Sequence, residues 1–121
     1  MEEDSLSKIF RLQTAFDESV QKYPPFNNWT KEEKVVALLD HVIQEAYEAQ
    51  NSLGTTINGR KKWWKQAELT EDGWIRVFDE LVDIVHFLVS ACINAGMSAE
   101  DVLVEYEAKN KENHNRQANN Y

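Results

Sequence analysis

FDELVDIVHFLVSACINA, the segment from Phe78 to Ala95, decides the fold. It has the length of a helix and is apolar on most sides, which is typical of a helix that is buried in a bundle. Its polar residues recur every three or four positions and so form one stripe, which consists of Glu80, Asp83, His86, Ser90 and Asn94. Because a buried carboxylate is costly unless it is paired, hydrogen-bonded or bound to a metal, we expect the stripe to face a group that favours negative charge.

A second pair of acids, Glu45 and Glu48, lies upstream in KEEKVVALLDHVIQEAYEAQNSL, residues 31–53. The apolar face beside this pair predicts an amphipathic helix and consists of Val35, Leu39, Val42, Ala46, Ala49 and Leu53. If the two helices pack together, their two acidic pairs surround one cavity. Inward carboxylates on facing helices form divalent-metal sites in bundles, and an all-oxygen set favours Mg²⁺ or Mn²⁺ over Zn²⁺.

Each acidic pair also has a simpler interpretation. The upstream pair alone fits a solvated helix edge, and the downstream pair alone fits a buried ion pair with Arg76 or with a lysine. His86 fits either a hydrogen bond to a metal-binding carboxylate or a satisfied position in the core. Taken jointly, the two acidic pairs favour the metal site.

Helical segments account for the rest of the pattern, and no strand pattern is present. We therefore expect an all-α bundle of about four helices, in a single domain over residues 1–121. The expected helices run from about Ser5 to Lys22, from the cap Thr30 to about Ser52, from about Glu71 to Ala95, and from Ser98 through Tyr106 into the polar tail. A chain of 121 residues buries a small core, so we expect oligomerisation, as a homodimer or homotetramer, to complete it.

The composition excludes several functions. Thirteen basic and 21 acidic residues give a net charge of −8, which argues against a nucleic-acid surface and against binding to anionic membranes. The amino terminus, MEEDSLSK, has neither a basic region nor an apolar signal core, so we expect a cytoplasmic protein, in the host cytoplasm if the source is viral. Cys92 stands alone, which fits a reducing compartment and a packing role.

The segment RKKWWK, residues 60–65, combines cations with flat indole rings. Lysine pairs with phosphate and indole stacks on a base, so this segment fits a phosphorylated aromatic ligand. We expect one of Trp63 and Trp64 to pack in the core and the other to face the ligand, near Lys65.

The polar tail after Tyr106, read alone, fits a frayed and solvated end. Three of its residues nevertheless fall on one helical face, at steps of four and three: Lys109, Asn113 and Arg116. Because the planar fork of arginine suits phosphate oxygens, this face predicts a second phosphate contact.

The E-x-x-E pair, the E-x-x-D pair followed by HFLVS, and the terminal pattern K-N-K-x-N-x-x-R-Q-x-x-x-Y together resemble the all-α dUTPases. This family, also called the dimeric dUTPases, belongs to the MazG-like nucleotide pyrophosphohydrolases and has dCTP-hydrolysing viral relatives. The resemblance extends from about Leu12 to Tyr121. It implies a MazG-like bundle completed by a second subunit, and a Mg²⁺-dependent split of a deoxynucleoside triphosphate into monophosphate and pyrophosphate. dUTP is the expected substrate, and dCTP or another nucleoside triphosphate is the alternative.

The resemblance also implies roles for individual residues. The implied metal ligands, one of which also orients or deprotonates the attacking water, are Glu45, Glu48, Glu80 and Asp83. The residues implied to close over the phosphates are Lys109, Asn113, Arg116 and Tyr121. Gln13, followed by Asp17, is implied to help hold the base, and a tryptophan of WWK to lie near it. The family usually ends in Gly-Tyr, but Asn120 precedes the last residue here; asparagine tolerates the left-handed backbone that glycine suggests.

A hypothesis from another class is a non-catalytic helical module for oligomerisation or regulation. The acidic residues favour the enzyme, because a scaffold has no reason to keep charge inside an apolar helix.

Overall fold

The computed structural model describes residues 2–53 and 71–119, which form four α-helices and one short 3-10 helix. In chain order these elements are α1 (Ser5–Val20), the 3-10 helix (Phe26–Asn28), α2 (Lys31–Ser52), α3 (Glu71–Asn94) and α4 (Ala99–Ala118). No strand occurs in these two ranges, and the expected all-α class is confirmed. α4 continues to Ala118, so the polar tail is helical over most of its length.

Local sequence sets the helix ends. Thr30 and Glu33 form a reciprocal capping box before α2, with both side-chain-to-backbone bonds at 3.1 Å. Ser98 and Asp101 form another box before α4, at 2.9 and 3.1 Å. Gly96 has a φ of +93°, which glycine adopts without strain, and the chain turns by 105° from α3 to α4 there.

The contact between α2 and α3 is the most extensive in the fold. α1 packs on α3, and α4 has its main contact with α1. The buried apolar residues are Phe10, Leu38, Ala49, Val77, Val89 and Ala91. The α2–α3 pair is therefore the platform that positions the acidic residues.

α3 is less buried than its composition predicts. A line of large apolar side chains remains 44–57% exposed and recurs at steps of four and three; this α3 apolar stripe consists of Trp74, Phe78, Leu81, Val85 and Leu88. Among the described residues, only α1 and α2 are substantial neighbours of α3, which is few for a helix that is apolar on most sides.

In the parts of the chain that the structure describes, no single helix is both long and apolar enough to cross a membrane. α3 and α4 meet that test only when they are counted together across their 105° bend, and by length and composition alone.

Candidate functional site

The two acidic pairs come within electrostatic reach of each other between α2 and α3. Glu45 is half-buried, and its pKa is raised, first by the loss of water around it and then by the negative charges of Glu48, Asp83 and Glu80. These four carboxylates are called the α2–α3 acidic cluster below. The two acidic pairs therefore interact across α2 and α3 within a single chain, while the shared cavity expected from the sequence stays a prediction.

No described cation neutralises this cluster. In residues 2–53 and 71–119 the ion pairs are Arg11 with Glu3 and Arg116 with Glu112, and neither pair includes a carboxylate of the cluster. The alternative ion pair with Arg76 is not formed, whereas a pair with Lys61, Lys62 or Lys65 concerns residues outside the described ranges. The acids thus repel one another without a compensating positive side chain among the described residues.

The four carboxylates are of the chemical type that binds a hard divalent cation, but they are not arranged as metal ligands in this structure. Within the described ranges, no group of three or more His, Cys, Asp or Glu residues is arranged to hold a metal ion. Carboxylate oxygens are the ligands that Mg²⁺ and Mn²⁺ prefer. The pKa of Glu45 is raised first by burial and then by the neighbouring negative charges, and a cation would relieve the second of these causes. The metal site itself stays a prediction.

Ser52 holds one of the four carboxylates. Its hydroxyl shares a proton with both oxygens of Glu80, at 2.9 Å to Oε1 and 3.0 Å to Oε2. Ser52 is the last residue of α2 and lies 28 positions before its partner, so the sequence reveals only that it ends a helix. Sequence reasoning missed this contact because nothing local marks it.

The polar stripe of α3 divides between two neighbouring helices. Its two acids interact with Glu45 of α2, whereas its next two members contact α1. His86 Nδ1 lies 2.8 Å from Gln13 Oε1, and Ser90 Oγ donates to Asp17 Oδ2 at 2.9 Å. The expectation of a partner that favours negative charge is therefore wrong for the second half of the stripe, because α1 packs on α3 there.

One expectation for His86 is met in part. Its Nδ1 is satisfied, by the amide of Gln13 rather than by a carboxylate of the acidic cluster, but the residue lies at an exposed position rather than in the core. Gln13 was expected to help hold the base. In this structure its side chain is buried, at 7% exposure, and its amide bonds two protein groups, Asp17 and His86.

We call these contacts the α1–α3 polar network, which consists of Gln13, Asp17, Gln21, His86 and Ser90. Gln13 Nε2 donates to Asp17 Oδ1 at 2.9 Å, and Gln21 Nε2 donates to Ser90 Oγ at 3.1 Å. Among the described residues, no buried side-chain nitrogen or oxygen lacks a hydrogen-bond partner. The spacing of four between Gln13 and Asp17 on one helix could have signalled part of this network.

The cationic face of α4 lies at the surface of the described chain. Lys109, Asn113 and Arg116 are exposed, and the main contact of α4 is with α1. At a rise of about 1.5 Å per residue, Arg116 stands about 25 Å along α4 from Ala99. Arg116 also pairs with Glu112 at 2.7 Å.

Four predicted ligand residues lie outside the described ranges: Trp63, Trp64, Lys65 and Tyr121. Asn120 lies outside them too. Their roles stay predictions from the sequence.

The chain is similar to known nucleotide-hydrolysing proteins. The sequence pattern that defines the dUTPase family matches residues 5–99, which include both acidic pairs and Gln13. The dCTP pyrophosphatase of Enterobacteria phage T4 is 32% identical over 110 residues, covering 78% of this chain and 61% of that relative. The dCTP pyrophosphatase of Enterobacteria phage LZ5 is 33% identical over 98 residues, covering 68% and 57% respectively. The chain spans about three fifths of the length of these curated relatives. No solved structure matches the chain.

Proposed function

The chain belongs to the dUTPase family, and from this membership we propose that it is a nucleoside triphosphate diphosphatase, which splits a deoxynucleoside triphosphate into monophosphate and pyrophosphate. The observation that carries the proposal is the α2–α3 acidic cluster, four carboxylates gathered with no described cation among them. Two relatives are called dCTP pyrophosphatases, a name that describes the same bond cleavage.

We propose that the acidic cluster holds Mg²⁺, for which Mn²⁺ can substitute, through Glu45, Glu48, Glu80 and Asp83. When bound, the ion supplies a more acidic water and positive charge beside the phosphates. The residues of this chain do the positioning. Ser52 fixes the direction of Glu80, and one carboxylate of the cluster orients or deprotonates the attacking water.

We propose that the phosphates are contacted by Lys109, Asn113, Arg116 and Tyr121, where cations offset charge on the departing pyrophosphate. α4 has its main contact with α1, so this role requires either that α4 reaches the cluster of a second copy or that α4 moves when ligand binds. A homodimer or homotetramer satisfies the first condition and would also cover the α3 apolar stripe.

For the base, we propose dUTP as the first substrate and dCTP as the second. The family description favours dUTP, and the names of the two phage relatives favour dCTP. Gln13 and a tryptophan of WWK, with Lys65 beside it, are proposed to lie near the base.

A pyrophosphate-release assay over all common ribo- and deoxynucleoside triphosphates, with Mg²⁺ and with chelator, tests the proposal. We expect release from dUTP or dCTP that chelator abolishes. Glu80→Gln and Asp83→Asn should lose turnover and keep their helicity, whereas Asp79→Asn, an exposed acid on the same helix, should remain active. If no triphosphate is hydrolysed and none raises the melting temperature, the non-catalytic helical module is the better account.

A further inference from the structure

The α1–α3 polar network connects a buried carboxylate to an exposed imidazole. Asp17 is 6% exposed and Ser90 is 2% exposed, so these two residues form the inner end. Gln13 bridges outward from Asp17 to His86, whose ring is exposed. The outer end lies on α3 one helical turn after Asp83 and thus on the same face as that acid.

The direction of each hydrogen bond along this path follows from the chemistry of Asp17. A carboxylate oxygen only accepts, so the group of Gln13 that lies 2.9 Å from Asp17 is its NH₂. The carbonyl oxygen of Gln13 then necessarily faces His86, at 2.8 Å from Nδ1. Because that oxygen also only accepts, Nδ1 is the ring nitrogen that carries the proton.

A second arm holds Asp17 in place. Ser90 donates its hydroxyl proton to the other carboxylate oxygen of Asp17, and Gln21 donates to the oxygen of Ser90. Both oxygens of Asp17 are therefore occupied by donors, and its carboxylate plane is fixed from two sides. This arm does not lie on the path from Asp17 to His86.

We infer that Asp17 is a positioning residue that acts through Gln13 to keep the proton of His86 on Nδ1, so that Nε2 is presented as a hydrogen-bond acceptor. Nε2 has no hydrogen-bond partner among the described residues. This part of the inference rests on the proposed function: Nε2 accepts a hydrogen bond from an N–H or O–H group on the nucleoside part of the substrate. A neutral imidazole in the other tautomer would present a donor there and reject the same group.

The tautomer is measured by ¹⁵N NMR of the imidazole nitrogens in the free protein, in alkaline buffer, where each neutral ring carries one proton. The chain has three histidines, so the variant His86→Gln identifies the signals of His86 by their loss. We expect a single tautomer with the proton on Nδ1 in the wild type. A proton found mainly on Nε2 would overturn the inference.

The matched variants are Gln13→Met and Gln21→Met, which make the same change within α1 and at the residue that follows its end. Gln13→Met cuts the path to His86, and we expect its ring to populate both tautomers. Gln21→Met removes only the bond to Ser90, and we expect the wild-type tautomer. An unchanged tautomer in Gln13→Met would overturn the inference, and the wild-type spectrum still decides the matter if that variant does not fold.

The substrate readout separates this inference from the proposed function. With the best substrate of the wild type, we expect His86→Gln, which places an amide donor where Nε2 accepts, to raise KM at least tenfold more than Gln21→Met does, with a smaller change in kcat. Equal KM values in the two variants would remove the assigned ligand contact. A wild type that hydrolyses no nucleotide would overturn the proposed function, while the NMR result would still decide whether the polar network sets the tautomer.

Discussion

At the scale of single residues, the pKa of Glu45 is changed by its burial and by the three other carboxylates between α2 and α3. Partial burial and three negative neighbours raise its pKa above the ordinary 4.5. A carboxyl with a raised pKa binds more protons in the folded state than in the unfolded state, between the ordinary value and the raised one. Stability therefore falls as pH rises from 4.5 through the raised pKa, and at neutral pH the charge on Glu45 opposes folding.

Glu45→Gln should therefore raise the melting temperature at neutral pH in the presence of chelator. Mg²⁺ should raise the melting temperature of the wild type and have little effect on this variant, because a ligand that binds the folded state stabilises it. Asp40→Asn, which removes an exposed charge from the same helix, is the control and should change neither result. A lower melting temperature for Glu45→Gln in chelator would contradict the repulsion.

Ser52→Ala tests whether the direction of Glu80 matters. Removal of a residue that orients a metal ligand typically lowers metal affinity or activity by about 10–100-fold, so we expect the Mg²⁺ concentration for half-maximal turnover to rise about tenfold. Ser19→Ala is the control, because among the described residues that hydroxyl bonds the backbone oxygen of Phe16 alone. Equal Mg²⁺ dependence in both variants would show that Ser52 has no such role.

The acidic residues of the site could be predicted from the sequence, whereas their hydrogen-bond partners could not. Glu80 stands out because it interrupts an apolar helix, and Glu45 because it repeats the same spacing beside an apolar face. Ser52 and Ser90 carry no such local signal, since their partners lie 28 and 73 positions away. The partner of His86 could not be predicted either, because Gln13 lies 73 positions away in sequence.

At the scale of secondary-structure elements, the helix starts agree closely with the sequence because capping is local. Each capping box joins residues three positions apart, so Thr30 and Ser98 predict the starts of α2 and α4 from local sequence alone. The division of the polar stripe on α3 could not be predicted in this way. It depends on which helix packs against each end of α3, and a single helical pattern does not contain that information.

Thr30→Ala should destabilise the protein by about 1 kcal/mol, the usual effect of removing a helix cap. The backbone N–H of Glu33 loses its acceptor in this variant. Urea denaturation followed by circular dichroism measures the change. Thr30→Ser keeps the hydroxyl and should lie close to the wild type, so an equal loss in both variants would assign the effect to the methyl group instead of the cap.

At the scale of the whole molecule, the exposed α3 apolar stripe supports the proposed association of chains. Its steps of four and three give the 3.5-residue repeat with which helices pack side by side. α1 and α2 expose further apolar side chains, including Phe16 and Ile43. The fold class followed from sequence periodicity alone. The arrangement of α4 did not, because it depends on contacts with α1, which lies far away in sequence.

Leu81→Glu should dissociate this proposed oligomer, because it places a charge in the middle of the stripe. In sedimentation velocity we expect the wild type to exceed the 14.1 kDa of one chain and the variant to approach that mass. Asn110→Glu adds the same charge to the exposed face of α4 and should keep the wild-type mass. A wild type that sediments as a single chain at high protein concentration would contradict the proposed assembly.

Binding of Mn²⁺ in the absence of nucleotide, followed by electron paramagnetic resonance, tests the central claim most directly. The wild type should remove free Mn²⁺ from solution in a saturable way. Glu80→Gln combined with Asp83→Asn should lose this binding and keep its helicity, while Asp79→Asn should bind as the wild type does. Undiminished Mn²⁺ binding by the folded double variant would contradict the account, because the ion would then be held somewhere other than between α2 and α3.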